Sequence, residues 1–214
     1  MSKVARRHSY RLNTHADYRL DMAERVTNFE GSFFKEFVKS LRQEDFITYP
    51  CLHSMDLLRQ KIAVHNDLES PNVFLGNGSC SVIKNIFHLV CTQGSNIVTS
   101  EPAFPMYEVY AHIMGADVKK VPYSTDLTVP FEAITEAVDD NTRVVVLANP
   151  NSPLGDWKNE EEIMKLWAFL YNRGILLLLD EAYVEYAPRS FVSHIAQTDN
   201  LVIVRTLSKA FGGA

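Results

Sequence analysis

A chain of 214 residues with 46% hydrophobic and 22% charged side chains can bury a core of its own without disulfides or structural metals. Its formal net charge of −5 is spread without acidic or basic blocks, and no basic stripe of the kind that grips a phosphate backbone is visible, which argues against nucleic acid as a partner. The longest purely aliphatic run, Ile175 to Leu179, falls far short of the roughly 20 residues that cross a bilayer, and the basic start "MSKVARRHSYR" is not followed by the apolar stretch of a secretory signal.

Residues 1–48 lie outside the strand and helix alternation of the remaining chain and read as an N-terminal arm or helical segment. Within them, Phe29 to Gln43 has the spacing of an amphipathic helix, with Phe33, Phe34, Phe37, Val38 and Leu41 on one side. From residue 49 to 214, apolar runs of strand length alternate with helical stripes. A short strand is expected at Asn72 to Gly76, then a helix from Ser79 to Cys91, a strand at Asn96 to Ser100 and a helix from Pro105 to Gly115. "DVKKVPY" reads as a strand, Phe131 to Val138 as a helix and "RVVVLANP" as a strand covered on both faces. Asn159 to Arg173 is a helix with a capping box at Asn159 and Glu162 and a left-handed stop at Gly174. "ILLLLD" and "NLVIVRT" are two further buried strands.

Strands alternating with helices imply right-handed crossovers and a three-layer α/β/α domain with a mostly parallel sheet. Ligands of such sheets collect at the carboxyl ends of the strands. Those ends carry Gly76-Asn77-Gly78-Ser79, Glu101 to Phe104, Asn149 to Pro153, Asp180 to Tyr183, and Thr206 to Lys209. Three cysteines (Cys51, Cys80, Cys91) form neither a CxxC pair nor an even framework, so they read as reduced thiols of a cytoplasmic protein. The seven histidines show no metal-ligand spacing, and no metal is expected.

An Asp buried at the end of an apolar strand needs a cationic partner. A Lys among hydroxyls can form a Schiff base once its amine is deprotonated. A Gly-rich turn opening a helix offers N–H groups and the positive end of a dipole to a phosphate. An aldehyde with a basic ring nitrogen and a phosphate meets all three needs, which describes pyridoxal 5′-phosphate. Four aliphatics before Asp180-Glu181 would also suit a magnesium-binding strand of a nucleotide hydrolase, but the GxxxxGK[ST] loop that reading requires is missing from the sequence.

"ANPNSPLG", "LLLLDEAYVEY" and "RTLSKAFGGA" resemble the fold-type I aminotransferases of class I and II, histidinol-phosphate aminotransferases in particular, over residues 49 to 214. The resemblance implies a cofactor-binding large domain, a homodimer, and amino transfer between an amino acid or amino-phosphate compound and a 2-oxo acid. It implies that Lys209 is the Schiff-base lysine and proton carrier, that Asp180 pairs with the pyridine nitrogen, and that Tyr183 donates to the phenolic oxygen. Phe104 would stack on the ring. The N–H groups of Ser79 and Cys80, with the hydroxyls of Ser208 and Thr206, would hold the phosphate, and Tyr49 would reach the phosphate of a neighbouring subunit.

The chain departs from the family pattern in three places. Ser152 stands where the family has an Asn that touches the phenolic oxygen, so the cofactor is expected to sit slightly differently, and Asn151 points elsewhere. The N-terminal substrate box reads Ala23-Glu24-Arg25-Val26, keeping Glu24 and adding a cation at Arg25 that could bind a carboxylate or phosphate of the substrate. The family also continues past Lys209 with two functional arginines, a further strand and a small C-terminal domain, so these 214 residues are expected to be a fragment and a poor enzyme alone. Two alternatives stay open: decarboxylation of a phosphorylated amino acid by the same Lys and Asp, and a non-catalytic relic domain.

Overall fold

The computed structural model describes residues 23, 25, 27–49 and 51–213. Three helices come first: α1 (Gly31–Ser40), α2 (Glu44–Ile47) and α3 (Leu52–His65). Then α4 (Gly78–Val90), α5 (Met106–Ile113), α6 (Phe131–Ala137) and α7 (Glu160–Tyr171) alternate with β1 (Asn96–Glu101), β2 (Asp117–Pro122), β3 (Thr142–Ala148), β4 (Leu176–Asp180) and β5 (Leu201–Val204). The five strands form one sheet, all parallel, in the order β2-β1-β3-β4-β5.

Period-two alternation along the central strands divides the core. Val144, Val146, Leu178 and Val204 pack with Ile83 and Phe87 of α4 and Tyr107 and Ala111 of α5. Val145, Leu147, Leu177 and Leu179 face the other way, against Ile134 of α6 and Ile163, Leu166 and Leu170 of α7. The expected three-layer architecture is present, and the uninterrupted aliphatic runs of β3 and β4 follow from having helices on both faces.

Helix α7 begins where Asn159 caps it, its side chain accepting the Glu161 N–H at 2.7 Å rather than that of Glu162. Glu160, Glu161 and Glu162 then place negative charge at the positive end of the dipole. Gly174 follows with φ +64°, a backbone that side chains with a Cβ resist. The strand expected at Asn72 to Gly76 is not formed. Ser70–Asn72 make a 3-10 turn and residues 73–76 run irregularly into α4. This segment has no strand partner, because β2 and β5 are the sheet's edges, and Phe74 stays 74% exposed. The apolar side of α1 forms as expected, yet Phe33, Phe34, Phe37, Val38 and Leu41 all remain exposed. The boundary expected between residues 48 and 49 falls between α2 and α3.

The same alternation sends Asp180 and Glu181 in opposite directions. Asp180 turns toward α5, while Glu181 is buried on the α7 side. Its carboxylate accepts from Arg205 Nε at 3.0 Å, from Ser190 Oγ at 2.6 Å and from the Phe191 N–H at 2.8 Å. Arg205 also donates to Ser190 and, at 2.7 Å, to Asn66 just past α3. One buried acid thus ties α3, the loop after β4 and β5 together. Glu181→Ala strands these donors, and urea unfolding should show a loss of roughly 2–4 kcal/mol; a loss under about 1 kcal/mol would contradict the network's structural role.

Candidate active site

The reversal of strand order between β1 and β3 leaves a crevice at the carboxyl edge of the sheet, because the loops leaving these strands run apart. A cleft of about 280 Å³ lies there. Ser79, Cys80, Phe104, Ser152, Asp180, Tyr183, Thr206, Ser208 and Lys209, nine of the residues singled out from sequence, line it together. Ala148, Ala182, Asn77 and Gly78 complete the wall.

Asp180 ends β4 level with Ala148 of β3 and Val204 of β5. It is 5% exposed, and both oxygens are engaged: Oδ2 accepts from the Tyr107 hydroxyl at 2.7 Å and Oδ1 from the Ala182 N–H at 3.1 Å. Burial pushes its carboxyl above the ordinary range. The Tyr107 and Ala182 hydrogen bonds and the charge of Lys209 pull the other way, and Glu181 adds to the rise. Tyr107 itself is held well above the usual phenol value by burial and by Asp180, so it remains a donor. A buried acid with neutral donors on it and one face toward a cleft suits a ligand that brings a positive charge.

Lys209 reaches the cleft from the turn after β5, its Nζ 5.6 Å from the centre of the Tyr183 ring. Strand β5 itself stops at Val204, so the lysine stands on the loop beyond it rather than on the strand. In that turn Thr206 Oγ1 donates to Ser208 Oγ at 3.0 Å and accepts the Ser208 N–H at 3.2 Å. Across the cleft, Gly78 opens α4 with φ +75°. Gly76 is required by contact, since a Cβ there would lie 2.6 Å from Val82 Cγ2. The first-turn N–H groups of α4, including those of Ser79 and Cys80, have no acceptor within the helix and face an anion's natural place. These donors, the hydroxyls, the amine and the acid fit a phosphorylated, aldehyde-bearing, basic aromatic.

Asn151 is turned away, its amide donating to Pro102 O at 3.1 Å, so Ser152 is the residue of this loop that faces the cleft. Tyr49 is 97% exposed and lies outside the wall. Arg25 also lies outside it; Nη1 donates to Ala210 O and Nε to Thr27 O, each at 3.0 Å, with the guanidinium over Phe29. It straps the N-terminal segment to the turn that carries Lys209. Glu24 lies outside the described residues. Sequence reasoning missed Tyr107, which it read only as part of the helix from Pro105 to Gly115. The available signal was its place three residues after Phe104, one turn along the same helix start.

Among the described residues no cluster of His, Cys, Asp or Glu could hold a metal ion, and no helix is long and apolar enough to cross a membrane. Cys91 is buried, which pushes its thiol up to about 11 and leaves it unreactive.

Residues 25–214 match the family model of aminotransferase class I and II. The chain is 38% identical over 196 residues to a histidinol-phosphate aminotransferase of Thermococcus gammatolerans, covering 92% of this chain and 55% of that protein. It is 34% identical over 193 residues to that of Pyrococcus furiosus, covering 90% and 55%. Among solved structures, it resembles the histidinol-phosphate aminotransferase of Sinorhizobium meliloti in complex with pyridoxal-5′-phosphate, with TM-score 0.80 and 28% identity over 90% of this chain and 52% of that one. The chain spans about half the length of the curated relatives it matches.

The raised carboxyl of Asp180 fixes the sign of a pH effect. An acid whose folded value lies above its unfolded one, about 4, favours folding fully below that pH and loses the benefit as pH rises through the folded value. The difference in unfolding free energy between the ligand-free chain and Asp180→Asn should therefore shift against the native chain as pH rises from about 4. Urea titrations across pH check this, and a difference that moves the other way would contradict the assigned burial.

Proposed function

The chain belongs to the class I and II aminotransferases, and from that premise we propose that it serves amino transfer between an amino acid or amino-phosphate compound and a 2-oxo acid, with pyridoxal 5′-phosphate held in the cleft. The observation that carries this reading is the convergence of Asp180, from the end of β4, and Lys209, from the turn after the neighbouring β5, on one cleft whose far wall is a helix N-terminus. When bound, pyridoxal phosphate supplies an aldehyde to the lysine and an electron-poor ring that accepts the electrons of a breaking Cα–H bond.

The chain's own residues then have distinct tasks. Asp180 keeps a proton on the ring nitrogen, because a buried carboxylate is stabilised by a cation at its open face. The amine of Lys209 would hold and move the proton of the substrate's Cα, acting as general base and then general acid. Tyr183 would donate to the phenolic oxygen, Phe104 would cover a ring face, and the Ser79 and Cys80 N–H groups with Ser208 and Thr206 would bind the phosphate. Ser152 donates through a hydroxyl where an amide would reach further. Glu24 and Arg25 belong to the stretch of sequence read as facing the substrate, and the bond from Arg25 to Ala210 O keeps Arg25 beside the Lys209 turn.

The similar proteins of Thermococcus gammatolerans and Pyrococcus furiosus are aminotransferases of histidinol phosphate, which favours an amino-phosphate donor and amino transfer over decarboxylation or a relic role. We read residues 49–214 as the cofactor-binding unit and residues 1–48 as an arm. A homodimer is supported by the run of uncovered apolar side chains from Phe33 to Leu52, including Phe34, Phe37, Phe46 and Ile47, with the exposed Tyr49 among them. Free thiols at Cys51, Cys80 and Cys91 fit the reducing conditions of a cytoplasm.

Borohydride reduction of the chain with pyridoxal phosphate should fix the cofactor on the peptide bearing Lys209, as read by mass spectrometry, and Lys209→Ala should abolish the label. Labelling spread over surface lysines, or none, would sink the assignment. Sedimentation should show a dimer that the double variant Phe34→Glu, Phe37→Glu converts to monomer; a monomeric native chain, or a variant that still dimerises, would contradict the proposed interface.

A further inference from the structure

The family resemblance gave Tyr107 no role, yet it is the largest of the fully buried side chains among the described residues, at 1% exposure. It stands in the first turn of α5, and its N–H bonds to Phe104 O at 3.2 Å, so backbone geometry fixes the two residues relative to each other. Its ring meets that of Phe104 edge to face, with centroids 5.6 Å apart and planes at 79°. Its hydroxyl donates to Asp180 Oδ2 at 2.7 Å. One side chain therefore touches two groups on different walls of the cleft, the aromatic face and the acid.

We propose that Tyr107 is a positioning residue that locks the carboxylate of Asp180 and the ring of Phe104 into one fixed relation, so that a planar cationic ring between them finds its acid already aimed. The inference rests on the reading that the cleft holds a pyridine-type cofactor. The chemistry of the side chain favours it. A Lys or Arg at this place would satisfy Asp180 by neutralising it and would compete with a ligand's cation. A phenol donates one hydrogen bond and adds no positive charge, so the acid is oriented but keeps its charge for the ligand. The Ala182 N–H holds the other oxygen, so each carboxylate oxygen has a donor of its own. The remaining ionisable groups around the pair are Cys80, Tyr183, Glu181 and Lys209, and among these only Lys209 brings positive charge.

Tyr107→Phe deletes the hydroxyl and keeps the ring in its packing. Two measurements test the proposal. In the cofactor-free chain, isotope-edited infrared spectroscopy follows the Asp180 carboxyl through a pH titration, with Asp180→Asn identifying its band; Tyr107→Phe should move that titration to higher pH while the thermal midpoint at neutral pH changes little. With pyridoxal phosphate added, the affinity of Tyr107→Phe should fall roughly 10- to 100-fold, as expected for losing a bond to a charged group. In the Asp180→Asn background the same substitution should cost little. An unmoved Asp180 titration, or an equal loss of affinity in that background, would overturn the proposal. If the native chain bound no pyridoxal phosphate, the functional reading would fail, and the infrared titration would still decide whether Tyr107 governs Asp180.

Discussion

Asp180 is an acid placed where water cannot serve it, at the end of a strand whose neighbours are aliphatic on both sides. Such a group is tolerated when donors satisfy its oxygens and a cation offsets its charge. The protein provides the donors, from Tyr107 and the Ala182 backbone, and sets the amine of Lys209 in the same cleft. The net result is an acid still held above its ordinary range, which gives a ligand's positive charge something to gain by binding.

The rest of the fold serves that placement. Parallel strands in order β2-β1-β3-β4-β5 bring their carboxyl ends to one edge, so the loops after β1, β3, β4 and β5 each contribute to one wall. The period of two puts Asp180 on the α5 side and Glu181 on the other, where Glu181 becomes a structural knot with Arg205, Ser190 and Asn66. Adjacent acids in one motif thus have unrelated tasks, decided by which face each side chain leaves from. The knot stands just before the Lys209 turn in the chain, so the buried network and the amine in the cleft share one short segment.

Much of this was legible in the sequence. The strands β3, β4 and β5 announce themselves by continuous aliphatic runs, α7 by its Asn159 cap and Gly174 stop, and the cleft by the polar residues just past each strand's carboxyl end. The failures have physical causes. Residues 72–76 have strand-like composition, but a strand needs a neighbour, and no local pattern reveals whether the sheet edge is near. The apolar side of α1 was readable, yet a stripe says only that something covers it, not what. Tyr107 was hidden because an aromatic in an amphipathic helix is usually core, and its hydroxyl gains meaning only from Asp180, 73 residues away. The bonds of Arg25 to Ala210 O and Thr27 O, by contrast, could not be read in advance, since they depend on a chain path that the sequence does not disclose.

The central proposal is that Asp180 meets the ring nitrogen of the cofactor while Lys209 holds the opposite end of the same molecule. Nitrogen-15 NMR of ring-labelled pyridoxal phosphate bound to the chain reads this directly. The account predicts a protonated ring nitrogen at a pH where the free cofactor has lost that proton, and loss of the protonated signal in Asp180→Asn. A bound cofactor whose nitrogen is unprotonated in the native chain, or equally protonated without the carboxylate, would contradict it.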